Sequence, residues 1–160
     1  MFKIILGLLL ISNFTFAATG RVKLPEQTKM EIINVLKVNE NLHASFFKYD
    51  AGKVEKNAKD LVQAMDKIND PQVKKLLNYS KSQITQINPT QTREKNNQLY
   101  NMVSMALTHL INKYDLGNEY NIYYCPMEKK KWVQNSLKMK KSNNPYMPSM
   151  PHCGERLTDY

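Results

Sequence analysis

The chain is poor in the residues around which most catalytic and cofactor sites are built. It carries two cysteines, three histidines, five glycines and one tryptophan in 160 residues. There is no phosphate-binding glycine loop, no Cys-x-x-Cys-His haem signature and no His-Glu-x-x-His helix. So few histidines support no nucleophile–base pair, and the chain reads as a non-enzyme. Internal repeats and low-complexity tracts are absent as well. The one continuous apolar run, Ile4 to Ile11, is too short for a membrane span of ~20 residues.

That run has a different meaning in its setting. Lys3 precedes it and Thr15-Phe16-Ala17 comes after it as a small-x-small cleavage site, so residues 1–18 read as a secretory signal peptide. No cysteine stands at the cleavage point, which argues against a lipoprotein. The expected location is periplasmic or secreted. Lysine and arginine outnumber aspartate and glutamate, for a formal net charge of +9. Export excludes nucleic acid as the natural partner of this charge. A solvated lysine face, peripheral contact with anionic lipid, or an acidic envelope protein remains.

Residues 24–116 carry four stretches of helical periodicity. Pro25 opens the first, which carries Ile32, Val35, Leu36, Leu42, Phe46 and Tyr49 on one face. Asp50 caps the second, with Val54, Ala58, Leu61, Met65 and Ile68 at 3–4 spacing. Asp70-Pro71 stops one helix and starts the next, whose stripe is Val73, Leu76, Leu77, Ile84 and Ile87. Asn88-Pro89 breaks the chain again. The fourth helix runs from about Thr92 to Tyr114 and ends at Leu116-Gly117. Short connections between amphipathic helices predict an all-α protein, an antiparallel four-helix up-down bundle.

Helical periodicity stops at Gly117. Asn121 to Tyr124 is a short β-like run, and prolines, asparagines and lysines dominate beyond it. Trp132, the tyrosines and Pro145, Pro148 and Pro151 argue for packing rather than disorder. Residues 117–160 are therefore expected to form an irregular Cys/Met-rich cap on the bundle, within one mature domain. On the fourth helix Leu99, Val103, Ala106 and Leu110 serve the core. Met102, Met105 and His109 line an adjacent face at 0-3-7 spacing, where they either pack against the cap or supply additional metal ligands.

Both cysteines lie in this cap, with soft ligands around them. Cys125-Pro126-Met127 puts a thiol and a thioether two positions apart, and Met147, Met150, His152 and Cys153 lie within seven residues. Thiolate and thioether sulfur select Cu(I)-like cations, and imidazole is a common third partner. The same two cysteines in an oxidising compartment make a disulfide by default. A Cys125–Cys153 bridge would close a loop of roughly thirty residues, for which the chain-entropy account gives about 3–4 kcal/mol. Trp132 is expected as a packing anchor, with stacking over a bound cation as its alternative. His43 is expected as a satisfied interior or boundary histidine. The lysines at 129–131 and 138–141 surround the cysteine region.

The sequence Tyr124-Cys125-Pro126-Met127, then Trp132, Asn144-Pro145-Tyr146, Met147 or Met150, and Cys153-Gly154 resembles an uncharacterised bacterial envelope family. Its members occur alone or appended to periplasmic adaptor subunits of copper/silver efflux pumps. Arg93 resembles a recurring arginine of that family, although Asn97 stands where an aromatic is usual. A weaker similarity is to the short heavy-metal-binding segment of copper pumps. Here Glu128 and Glu155 replace two of that segment's ligands. The resemblance implies heavy-metal handling, with Cys125, Met127, Met147 or Met150, and Cys153 as site residues. It also implies structural roles for Trp132, Asn144, Pro145, Tyr146 and Gly154.

These features support two functional expectations. The first is an exported protein binding Cu(I) or Ag(I) through Cys125, Met127, Met147, Met150, His152 and Cys153, as an accessory of a metal-efflux adaptor or another envelope protein. The second is a metal-free, disulfide-stapled interaction module of the cell envelope.

Overall fold

The computed structural model describes residues 20–160, and the expected signal segment lies outside them. Four helices come first: α1 (Glu26–Ser45), α2 (Ala51–Asp66), α3 (Pro71–Ile84) and α4 (Arg93–Lys113). Three strands come after them: β1 (Tyr120–Cys125), β2 (Lys130–Asn135) and β3 (Glu155–Arg156).

The helix starts obey local chemistry. The Asp50 carboxylate accepts the Lys53 N–H, Asp70 accepts those of Gln72 and Val73, and the Thr92 hydroxyl accepts that of Lys95. Each bond satisfies an N–H with no partner inside its helix, worth about 1 kcal/mol. Successive helices pack on one another, α1 on α2, α2 on α3 and α3 on α4. Ile32, Leu36, Leu61, Val73, Val103 and Leu107 meet in a continuous core. After α4, Gly117 adopts φ 88°, the left-handed conformation that glycine takes without a Cβ penalty.

The expectation of an all-α four-helix bundle is overturned by the chain beyond Gly117. β1, β2 and β3 form a three-stranded antiparallel sheet in the order β2-β1-β3, so the protein is mixed α/β. β1 and β2 make a hairpin in which Tyr123 faces Trp132 and Cys125 faces Lys130. Its turn is closed by Lys129 at φ 52°, a lysine in a conformation usually left to glycine or asparagine. The longest irregular stretch of the cap is therefore residues 136–154, between β2 and β3. The β-like run Asn121 to Tyr124 is β1, whereas β2 carries no strand signal because it buries Gln134 and Asn135 beside Trp132 and Val133, so polar residues do not alternate outward.

The sheet packs chiefly on α4 through β2, with further contacts from β1 to α4 and from β2 to α1. An aromatic column crosses this junction. Phe46 stacks on Tyr100 at 4.9 Å between centroids, Tyr100 meets Tyr146 at 5.9 Å, and Tyr146 presents its edge to Trp132 at 6.4 Å. Trp132 in turn stacks on Tyr123 at 5.9 Å. Such pairs contribute about 0.5–1.5 kcal/mol each beyond the area they bury. The buried Tyr146 hydroxyl donates to Ser104 Oγ at 2.7 Å, so its polar end is satisfied. Burial pushes the Tyr146 phenol well above its usual range.

Polar pins on α1 complete the junction. Glu40 accepts from the Tyr120 hydroxyl and from Lys138 Nζ at 2.8 Å. His43, buried as expected, donates from Nε2 to the Asn143 carbonyl at 2.7 Å. Burial lowers the His43 pKa from 6.5 to about 4, outweighing the opposing pull of the Asn143 and Val133 backbone and of Glu40. His43 is therefore neutral in the folded protein at pH values where an unfolded chain would protonate it. The stability this supplies is complete above pH 6.5 and is lost as pH falls toward 4, in total about 3 kcal/mol. Urea unfolding across pH 4 to 7 is expected to show this loss, and the His43→Gln protein is expected to lack this part of the slope. Equal slopes in both proteins would contradict the assignment.

Candidate functional site

The hairpin and the loop after it bring the two cysteines together. Cys125 ends β1 and is fully buried, while Cys153 lies just before β3 and is partly exposed. Because β3 pairs with β1 at Tyr124↔Glu155, the chain immediately before β3 runs back past the end of β1. That register puts Cys153 beside the end of β1, where Cys125 and the Met127 backbone are its neighbours. The neighbouring Cys125 thiol is the main cause of a raised Cys153 pKa, with desolvation second. Both cysteines are free thiols, so the expected bridge is not shown.

The surrounding motif residues explain how Cys153 is held. Asn144 is completely buried, and its Nδ2 donates to the Cys153 carbonyl at 3.0 Å. Its Oδ1 accepts the Tyr146 N–H at 2.9 Å, and its own N–H donates to the Pro151 carbonyl at 2.7 Å. Pro145 is buried beside them. Two tight turns, Met150 N–H to Met147 carbonyl and Cys153 N–H to Met150 carbonyl, then lead into the cysteine. Gly154 comes next with φ 145°, and a Cβ there would lie 2.5 Å from the Trp132 ring and 3.2 Å from the Tyr124 carbonyl. Glycine is needed on both counts: the indole and the strand approach too closely for any side chain.

Gln134, which belongs to none of the sequence motifs, organises the other half of the loop. Its Oε1 accepts from Trp132 Nε1 and from the Asn143 N–H, at 3.3 and 3.0 Å. Its Nε2 donates to the Met139 and Lys141 carbonyls at 3.0 and 2.7 Å. A buried amide making four bonds costs little to bury and specifies one loop path. Its position directly after Trp132-Val133 was its only sequence signal.

The remaining expected ligands are Met127, Met147, Met150 and His152, which lie on the hairpin turn and on the loop that leads to Cys153. Among the described residues, no three histidine, cysteine, aspartate or glutamate side chains gather where they would hold a metal ion. His152 is exposed and donates from Nδ1 to the Ser142 carbonyl at 2.8 Å. Met127 at the hairpin turn is 62% exposed, Met150 is exposed and Met147 is half-buried. Of the six expected residues, Cys125 is thus buried, Cys153 and Met147 are partly exposed, and Met127, Met150 and His152 are at the surface. Trp132 is fully enclosed between Tyr123, Tyr146 and Gly154, with no open ring face for a cation.

Met102, Met105 and His109 do not form the seat of the cap. They are exposed, and α4 instead turns Tyr100 and Ser104 to the cap through Tyr146. Arg93 donates from Nη2 to the Phe46 carbonyl at 2.5 Å and lies 5.5 Å from the Tyr49 ring, tying the start of α4 to the end of α1.

The cradle has a direct test. Gly154→Ala is expected to destabilise the protein by about 2–4 kcal/mol, through overpacking against Trp132 and an unfavourable φ. It should also speed alkylation of Cys153 by an uncharged thiol reagent under native conditions. Unchanged stability and alkylation would show that the Gly154–Trp132 contact does not hold Cys153.

No family model, curated protein or solved structure matches the chain, so a functional reading rests on the site itself.

Proposed function

We propose that this is an exported heavy-metal-handling protein that holds Cu(I) or Ag(I) between the thiolates of Cys125 and Cys153. The observation that carries the reading is the placement of the chain's two cysteines side by side where β3 returns past the end of β1, one buried and one partly exposed. Two sulfurs suffice for a soft monovalent cation, and hard cations such as Mg²⁺ or Ca²⁺ favour oxygen ligands. The bound cation supplies no reaction; it takes the place of the two thiol protons, which pass to solvent. The protein's part is to hold two sulfurs at a fixed separation, to keep Cys125 away from water, and to leave one approach through Cys153. The Met127 N–H beside Cys153 stabilises negative charge on that sulfur.

The surroundings suit exchange with a second protein. Met127 and Met150 offer exposed thioethers, and Met127 lies two positions after Cys125 on the hairpin turn. Lys129, Lys140 and Lys141 add exposed positive charge on the cap. An acidic envelope protein, such as a metal-efflux adaptor, fits that surface. The sequence resemblance to the efflux-associated family supports the same role.

Titration with Ag(I) under reducing conditions tests the reading. One Ag(I) is expected to bind tightly, and Cys125→Ser and Cys153→Ser are each expected to weaken that site at least about a hundredfold, some 3 kcal/mol. Retention of full affinity in either variant would overturn the two-thiolate site. Isolation of the protein from its oxidising compartment entirely as a Cys125–Cys153 bridge, with no Ag(I) uptake, would overturn the function.

A further inference from the structure

The solvent face of α4 has an unusual composition. In a chain that is 23% charged, the whole stretch from Asn96 to Asn112 contains no aspartate, glutamate, lysine or arginine. Its inward positions are accounted for by the core and by the cap, through Leu99, Val103, Leu107 and Leu110 on one side and Tyr100 and Ser104 on the other. The outward positions are not. Exposed helix faces are normally lined with charged side chains, and α2 shows this with Lys56, Lys59 and Asp60 in ion pairs. On α4 the corresponding positions are Met102, 38% exposed, Met105, 48% exposed, and His109, also exposed.

These three residues are arranged as a ligand set. At 100° per residue they fall within about 60° of one another around the helix axis. Spacings of three and four put neighbouring Cβ atoms about 5–6 Å apart, with side chains leaning along the same face. Long, flexible thioethers flanking an imidazole can close on one ion from such positions. Among the described residues, the His109 ring is engaged in no hydrogen bond that would compete. Two thioethers and one imidazole form a soft, neutral donor set, which favours a soft monovalent cation over Zn²⁺ or a hard ion. A neutral set also binds without displacing thiol protons, in contrast to the cysteine pair.

We infer that Met102, Met105 and His109 form a second soft-cation site on the outer face of α4, weaker than the thiol pair and independent of it. Its exposure suits fast, reversible exchange. The inference does not rest on the two-thiolate reading, because none of its ligands belongs to the cap.

The test is Ag(I) titration of the full-length mature protein labelled with ¹³C at the methionine methyls, using Cys125→Ala/Cys153→Ala to remove the thiols. The Met102 and Met105 methyl signals and the His109 ring signals are expected to shift together, saturating at one Ag(I) with micromolar affinity. Met102→Leu/Met105→Leu, a surface change compatible with folding, is expected to weaken the site at least about tenfold. If the thiol-free protein does not fold, the same shifts are read in the cysteine-containing protein after its first equivalent of Ag(I). Absence of shifts at Met102 and Met105, or equal shifts at Met30, Met127 and Met150, would overturn the α4 site. Neither result would bear on the cysteines, and loss of the thiol site in the Cys→Ser proteins would leave this site intact.

Discussion

The structure depends on one aromatic junction. Tyr146 inserts between Tyr100 of the helices and Trp132 of the sheet, with its hydroxyl on Ser104. It is the aromatic link between the helices and the chain beyond Gly117, and the polar contacts from α1 act beside it. The sheet has only three strands, one of them two residues long, and so small a sheet needs another surface to pack against. The helices supply that surface. Trp132 then faces Tyr123 across the hairpin and Gly154 across the sheet's other margin, so a single indole sets the separation of the chain segments that carry Cys125 and Cys153.

Polar groups define this arrangement where apolar packing would permit several. Asn144 and Gln134 are buried amides with their bonding capacity directed at the loop backbone, one toward Cys153 and one toward residues 139–143. His43 and Glu40 reach the same region from α1. The cap is thus tied to two different helices, and the cysteine pair is held from both sides. Such pre-positioning lowers the ordering cost that a flexible Cys/Met tail would incur on binding a cation.

The helices were legible in the sequence because each has a local stop or start with a physical cause: Asp50, Asp70-Pro71, Thr92 and Gly117. Of the sheet only β1 was, as the β-like run Asn121 to Tyr124, and the rest was hidden for equally specific reasons. β2 buries Gln134 and Asn135, the hairpin turn Pro126–Lys129 contains no glycine, and β3 is a dipeptide that is a strand only because β1 is beside it. The candidate site was half legible. Cys125, Asn144, Tyr146, Cys153 and Gly154 stood out by type and spacing, yet their joint role in placing one thiol emerges only from long-range contacts. On α4 the sequence offered two adjacent faces. The methionine face looked like the seat of the cap, whereas Ser104 and Tyr100 make it, because Tyr146 brings a hydroxyl that requires a partner.

The proposed two-thiolate centre depends on two sulfurs that the fold places side by side. X-ray absorption at the copper edge, on protein loaded anaerobically with one equivalent of Cu(I), probes that pairing most directly. The expected spectrum has a first shell of two sulfurs, lost in Cys153→Ser. A shell dominated by nitrogen or oxygen, or a sulfur shell unchanged in Cys153→Ser, would contradict a two-thiolate centre.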